Sequence, residues 1–154
     1  MPLSQNELDQ RVAILRRFRE LLLEQREKFH NYLTLLDHQQ KAIETDNVDA
    51  LVQHVEAEQA IVADIFALQK VIDPLEDMYR AAYQGAEPEW MPELKTTINS
   101  LKTEVISRNE ANRKLLKQHM EMLRHEIMSI NNPYTKKKSI YADTPEPRAL
   151  DIKG

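Results

Sequence analysis

The sequence predicts an all-α protein with three long helices: an antiparallel helical hairpin, a third amphipathic helix, and then a flexible C-terminal tail. The 154 residues include only two glycines. Sheet and barrel folds need many tight turns, for which glycine is the usual residue, so this composition favours a few long helices. Apolar residues also recur at helical spacing over long stretches. Only residues 84–92 combine a glycine with two prolines, a composition that is typical of a loop between helices.

The first predicted helix covers residues 5–44. An apolar side chain recurs at every seventh position, which forms one stripe and favours packing against a partner helix. This ladder consists of Leu8, Leu15, Leu22, Phe29, Leu36 and Ile43. The segment 45–47 contains Asp46 and Asn47, which suit a helix terminus or the N-cap of the next helix. So short a connection predicts an antiparallel hairpin.

The second helix is predicted over residues 48–83, with apolar positions at Leu51, Val55, Val62, Ile65, Leu68, Ile72, Leu75 and Tyr79. We expect Glu58, which interrupts this series, to face solvent or an arginine. Pro74 lies inside the pattern and removes one backbone donor, so a kink or break is expected there.

The third helix is predicted over residues 93–130, with Pro92 at its first position. Trp90 precedes it and is expected to fold back as a plug on the hairpin end; a binding role is the less favoured alternative. The middle of the helix is polar around Asn109 and Asn112. This band is either a buried layer that fixes register or a solvated joint. Four charged side chains share the segment, which favours the joint.

The last part of the third helix is richer in apolar residues than one buried stripe requires. Its methionines add adaptable apolar surface. Residues 1–130 are thus expected to form the helical domain, and residues 131–154, which lose periodicity and hold prolines and a lysine triplet, the flexible tail.

Catalytic and metal chemistry have little support in this sequence. It contains no cysteine, which removes disulfides, thiolate ligands and cysteine nucleophiles. His119 and His125 are six residues apart, so they lie on different faces of a helix, and no inward-facing Glu-x-x-His sequence or phosphate loop occurs. No cofactor, metal or catalytic residue is therefore predicted, and the chain is expected not to be an enzyme.

The charge distribution and hydropathy narrow the partners and the location. The net charge is −4 with both signs interspersed, and the only dense basic run is residues 136–138, which disfavours nucleic acid as a partner. No apolar run is long enough to span a membrane, so no membrane insertion is expected. The polar, acidic N-terminus does not resemble a signal peptide, so the cytoplasm is the expected location.

Four features, taken in order, resemble the flagellar export chaperones of the FlgN type. They are the inter-helix segment 44–51; the stretch 55–59; Asn109 and Asn112 ahead of Leu115-Leu116 and a final apolar run; and Tyr134 with the ending 151–154. The resemblance spans essentially the whole chain. The sequence departs from the family pattern at Asp46 or Asn47, where glycine is common, and at Gln59, where lysine is usual.

The resemblance implies a bacterial cytoplasmic chaperone that holds hook-associated, junction-forming flagellar proteins by their helical C-terminal ends. Such a protein prevents premature assembly and delivers its clients to the export gate of the flagellar type III apparatus. The spare apolar surface of the third helix suits that work, because it can cover a client helix. The predicted client-binding residues are Leu115, Leu116, Met120, Leu123, Ile127 and Ile130. The alternative is that they pack on the protein's own hairpin.

The resemblance further implies that Tyr134 contacts the export gate, with Tyr141 as the less favoured choice. Two other functions remain open. One is a structural coiled-coil scaffold or spacer that self-associates through the first helix, and the other is a chaperone of the same helical type with different clients. A homo-oligomer is possible in either case.

Overall fold

A computed structural model of the chain describes residues 4–82 and 87–138, with side chains as far as Ile130. Within these ranges the chain forms three helices and no strand: α1 (Gln5–Glu44), α2 (Val48–Ala82) and α3 (Trp90–Lys138). The predicted all-α class is confirmed. The chain divides into two compact units, residues 1–115 and residues 116–154. The expected flexible tail falls largely on residues 139–154, which lie outside the described residues.

The ends of α1 and the start of α2 are set by capping. The Ser4 hydroxyl accepts a hydrogen bond from the Glu7 backbone N–H at 3.2 Å, and the Glu7 carboxylate accepts one from the Ser4 N–H, which forms a capping box. At the other end Asp46 adopts a positive φ of 55°, the left-handed geometry that ends many helices. The Asn47 side chain accepts from the Ala50 N–H at 3.1 Å and so caps α2. α1 and α2 then pack against each other as a hairpin.

Pro74 and Pro92 differ from the sequence expectations in their position relative to the helix ends. α2 continues through Pro74 without a break. The missing N–H costs one backbone bond, but Ile72, Leu75 and Tyr79 on both sides of it pack into the core and hold the helix together. α3 begins at Trp90, so Pro92 lies within the first turn, where backbone N–H groups have no intrahelical partner in any case.

The helical backbone of the third helix continues past its expected end at residue 130. α3 extends to Lys138, so the backbone of residues 131–138, including Tyr134, is helical. The loss of apolar periodicity misled the prediction, because a helix without a buried face does not need a periodic apolar pattern.

The core of residues 1–115 lies between the hairpin and the first half of α3. Its buried members are Phe18, Leu21, Leu22, Phe29, Tyr32, Leu36, Ile72, Tyr79, Met91, Leu94, Ile98 and Val105. Phe18 and Met91 are fully buried, and the Phe18 and Tyr79 rings have centroids 6.0 Å apart. Trp90 packs at the border of this core with the Arg19 guanidinium 5.3 Å from its ring centroid. The expected packing role of Trp90 is thus confirmed.

Candidate functional site

A buried polar layer joins α3 to α1. Asn112 is only 6% exposed, and its Nδ2 donates to the Leu36 carbonyl oxygen at 2.9 Å and to Gln39 Oε1 at 3.1 Å. Asn109 Nδ2 donates to the Tyr32 hydroxyl oxygen at 3.1 Å. The solvated joint favoured from the sequence is therefore wrong, and the buried layer is correct. The charged neighbours did not have to be buried with the asparagines, because Glu110, Arg113 and Lys114 all point to solvent.

α2 adds a half-buried carboxylate to the electrostatics of this layer. Burial raises the pKa of Glu58 above its ordinary value, and the positive charge of Arg113 opposes this rise. Burial also raises the pKa of Tyr32, with a smaller contribution from the negative charge of Glu58. Glu58 Oε1 and His54 Nδ1 are both buried without a hydrogen-bond partner. Glu58 thus lies near an arginine, as expected, but it faces the protein interior as much as solvent.

A cleft of about 180 Å³ lies beside the core, and most of the polar side chains that line it are bonded to neighbouring side chains. The buried Gln25 amide donates to Gln69 Oε1 at 2.8 Å, and the Gln69 amide donates to the Asp73 carboxylate at 2.6 Å. Lys95 and Glu76, which also line the cleft, form an ion pair. These side chains fix α2 against its neighbours, and their arrangement contains no nucleophile with an adjacent base.

No group of three or more histidines, aspartates or glutamates in residues 4–82 and 87–138 is placed to hold a metal ion. Over the same ranges, no helix has both the length and the apolar character that crossing a bilayer requires.

The second unit presents an exposed apolar strip on α3, which is the candidate binding site. Its members follow one another at spacings of four and three residues: Leu116, Met120, Leu123, Ile127 and Ile130. At 100° per residue these five positions lie within an arc of about 80°, so they form one face. Their side chains range from 37% exposed at Leu116 to 68% exposed at Ile130. Exposed apolar side chains in one contiguous row are a mark of interaction sites.

The other apolar residues of this region lie off the strip. Met122 and Met128 are exposed, but on the helical wheel each lies about 120° from Leu116. Leu115, the sixth predicted client-binding residue, is the last residue of the first unit and is half-buried. Of the predicted gate-binding residues, Tyr134 has a helical backbone and an undescribed side chain, and Tyr141 lies outside the described residues.

The sequence reasoning missed a second apolar surface, on α2. Val48, Val52, Val55 and Phe66 are all at least half exposed, from 50% at Val55 to 65% at Val48. The sequence pattern places Val55 among the apolar positions of the second helix that are expected to pack in the core. The sequence contains the pattern that would have identified this surface. Val48, Val52, Val55 and Phe66 follow one another at spacings of four, three and eleven residues, which places them on one face of the helix. This series is shifted by one residue from the core positions that begin at Leu51.

The fold and the strip define a class of protein: long helices packed in a three-helix unit, followed by an amphipathic helical segment whose apolar side is exposed. The chain is similar to an uncharacterized protein of Treponema pallidum (strain Nichols), with 36% identity over 124 residues that cover 80% of this chain and 79% of the relative. The chain belongs to the same protein family as that relative. No family profile matches the chain. No solved structure matches it either.

Proposed function

We propose that this protein is a cytoplasmic export chaperone of the flagellar FlgN type and not an enzyme. It binds the helical C-terminal ends of hook-associated, junction-forming proteins, prevents their premature assembly and delivers them to the export gate of the flagellar type III apparatus. The exposed strip on α3 carries the proposal, and the sequence resemblance identifies the clients.

The strip has the chemistry that such a client requires. A subunit end that will later be buried in a filament exposes an apolar helix face beforehand, and a second helix with apolar anchors at spacings of three and four residues can cover it. Met120 contributes a flexible, polarizable side chain that adapts to clients of different shape. Because these side chains are exposed in the free protein, binding does not first require the core to open.

A matched pair of double variants tests the strip. Leu123→Glu/Ile127→Glu places two charges on the strip, whereas Met122→Glu/Met128→Glu places two charges on the same helix outside it. We expect the first variant to weaken binding of a hook-junction C-terminal peptide by roughly tenfold or more, because it would bury charge in the interface. The second should bind as the parent does. The measurement is isothermal titration calorimetry, with circular dichroism to compare helix content.

Two results would count against this assignment. Equal loss of binding in both variants would show that the strip has no special role. A parent protein that binds no such peptide would refute the chaperone function itself. We further propose that Tyr134 contacts the export gate. A Tyr134→Ala variant is expected to bind clients and fail to secrete them, and normal secretion would remove Tyr134 from the mechanism.

The alternative of a scaffold that self-associates through the first helix has less support. The repeating apolar residues of α1 are largely used within the molecule, since Leu22, Phe29, Leu36 and Ile43 are buried. Leu8 and Val12 at the start of α1 remain exposed. Sedimentation of a Leu8→Glu/Val12→Glu variant distinguishes the two functions, because only a scaffold of that kind would lose self-association.

A further inference from the structure

The exposed apolar residues of α2 form one face, which we call the valine face: Val48, Val52, Val55, Val62 and Phe66. At 100° per residue they lie within an arc of about 80°. Val62 is half-buried and the other four are exposed. The core ladder of α2 lies on an adjacent side of the helix, so core packing leaves the valine face uncovered except at Val62, which contacts the core cluster.

Negative charge surrounds the valine face. Residues 42–69 contain no lysine or arginine, and their six acidic residues are Glu44, Asp46, Asp49, Glu56, Glu58 and Asp64. Asp49 follows Val48 and Glu56 follows Val55 by one residue, so both carboxylates lie on the same flank of the face. Neither forms an ion pair among the described residues, whereas Asp64 pairs with Lys28 at 3.1 Å.

The strip on α3 repeats this pattern with the opposite charge. Lys117 follows Leu116 and Arg124 follows Leu123 by one residue, so two basic side chains lie on the corresponding flank, seven residues apart as the two acids are. Neither base forms an ion pair in the described part of the chain. The acidic Glu121 lies about 140° from Leu116 on the helical wheel, on the same side as the two bases but farther from the strip, and Glu126 lies on the other flank. The two surfaces are thus complementary in apolar spacing and in the sign and spacing of their flanking charges.

We propose that two copies of this chain associate through these surfaces, with the strip of each copy packed antiparallel on the valine face of the other. Exchange in both directions gives a closed two-fold dimer, in which residues 48–57 of each copy cover residues 116–125 of the other. In the single molecule both surfaces are exposed, so the association covers apolar area that water otherwise contacts.

The charges select the antiparallel orientation. In an antiparallel helix pair, corresponding flanks of the two helices face each other, so Asp49 lies near Arg124 and Glu56 near Lys117. In a parallel pair, the acidic flank of α2 would instead face the flank that carries Glu126, and like charges would meet. The charges therefore fix the orientation, and the apolar residues provide most of the affinity.

Charge reversal in the full-length protein tests the dimer. One variant is Asp49→Lys/Glu56→Lys, and the other is Lys117→Glu/Arg124→Glu. Each places like charges in both interfaces of its own dimer, so we expect the dissociation constant of each to rise by roughly tenfold or more. An equimolar mixture of the two should form a dimer as tight as the parent, since both interfaces then pair opposite charges. Sedimentation equilibrium over a concentration series measures each constant.

A matched control separates pairing from total charge. Asp77→Lys/Glu110→Lys changes the net charge as much as the first variant, at two exposed positions outside both surfaces. We expect it to dimerise as the parent does. A monomeric parent, equal weakening by this control, or a mixture that fails to recover would each overturn the proposal. A chain that carries all four substitutions should also dimerise. If this chain behaves as the parent does but sediments with the mass of a monomer, the charges pair within one molecule, and the dimer proposal is overturned as well.

The proposal is independent of the chaperone function. A dimer whose dissociation constant responds to charge reversal as expected supports this proposal even if no client binds. Client binding supports the chaperone function even if the parent is monomeric. If both hold, client and second copy compete for the strip, and the client peptide should dissociate the dimer.

Discussion

The two halves of α3 use similar side chains for opposite purposes. Over residues 90–115 the apolar positions Met91, Leu94, Ile98 and Val105 are buried in the core, and Asn112 anchors the helix by hydrogen bonds. Over residues 116–130 the apolar positions recur at the same spacings of three and four residues, yet they are exposed. A spacing determines which side chains share a face, but it does not determine whether a partner covers that face.

The comparison also shows how a single helix can carry both stability and binding. Apolar area that is buried on folding contributes directly to the free energy of unfolding. Apolar area that stays exposed contributes little to it and remains available for a partner. Substitutions in the two halves should therefore separate these two quantities.

The largest expected difference lies between a core residue and a strip residue. Phe18→Ala should lower the free energy of unfolding by about 3–5 kcal/mol, because Phe18 is fully buried against Tyr79 and its loss leaves a cavity. Leu123→Ala should change it by no more than about 0.5 kcal/mol at protein concentrations low enough to keep the chain monomeric. Urea denaturation followed by circular dichroism measures both. If Leu123→Ala lowers the free energy of unfolding nearly as much as Phe18→Ala does, the strip is buried in the monomer. The two halves of α3 would then not differ in exposure.

A smaller effect is expected from the polar layer of the first half. Asn112→Ala removes two hydrogen bonds and leaves the buried Leu36 carbonyl oxygen without this donor, so we expect a loss of about 1–3 kcal/mol. Glu110→Ala on the exposed side of the same turn is the control and should stay within about 0.5 kcal/mol of the parent. An Asn112 variant as stable as the parent would show that the layer does not stabilise the contact between α1 and α3.

The fold could be predicted largely because the sequence is locally consistent. Low glycine content, long apolar ladders and capping residues such as Asn47 all favour the same three helices. Two of the errors have a common cause, which is that packing outweighs local preference. Pro74 opposes a helix locally, and the core contacts on both sides of it maintain one. Asn109 and Asn112 are typical of a solvated segment, and the α1 groups that bond them come from more than 70 residues away in the chain.

The candidate site was predicted in part, for the same reason. Five of the six residues proposed for client binding form the exposed strip, since the surplus of apolar residues was visible in the sequence. Leu115 falls outside it because one residue of shift rotates a side chain by 100° around the helix. The valine face was missed because Val55 and Val62 are also compatible with the core stripe. Only the packing of α2 on α1 decides which of the two stripes is buried.

The last prediction concerns Glu58, which connects α2 to the polar layer and should affect stability in a pH-dependent way. Because burial raises its pKa in the folded protein, the folded state holds this proton more tightly than the unfolded chain. The protonated group thus contributes stability that is complete below the ordinary glutamate pKa and is lost as pH rises through the raised value. Glu58→Gln cannot ionise, so it should be more stable than the parent at pH 7, by up to about 1 kcal/mol, and close to it at pH 4.

The partial exposure of Glu58 and the attraction of Arg113 keep this effect small, so a control is essential. Glu27→Gln, on the exposed side of α1 and outside both proposed interfaces, removes a carboxylate of the same length and should change the free energy of unfolding little at either pH. Urea denaturation at both pH values measures the two differences. A Glu58→Gln variant that is less stable than the parent at pH 7 would mean that the attraction of Arg113 outweighs burial. The polar layer would then hold an ion pair between α2 and α3 in place of a carboxylate that burial disfavours.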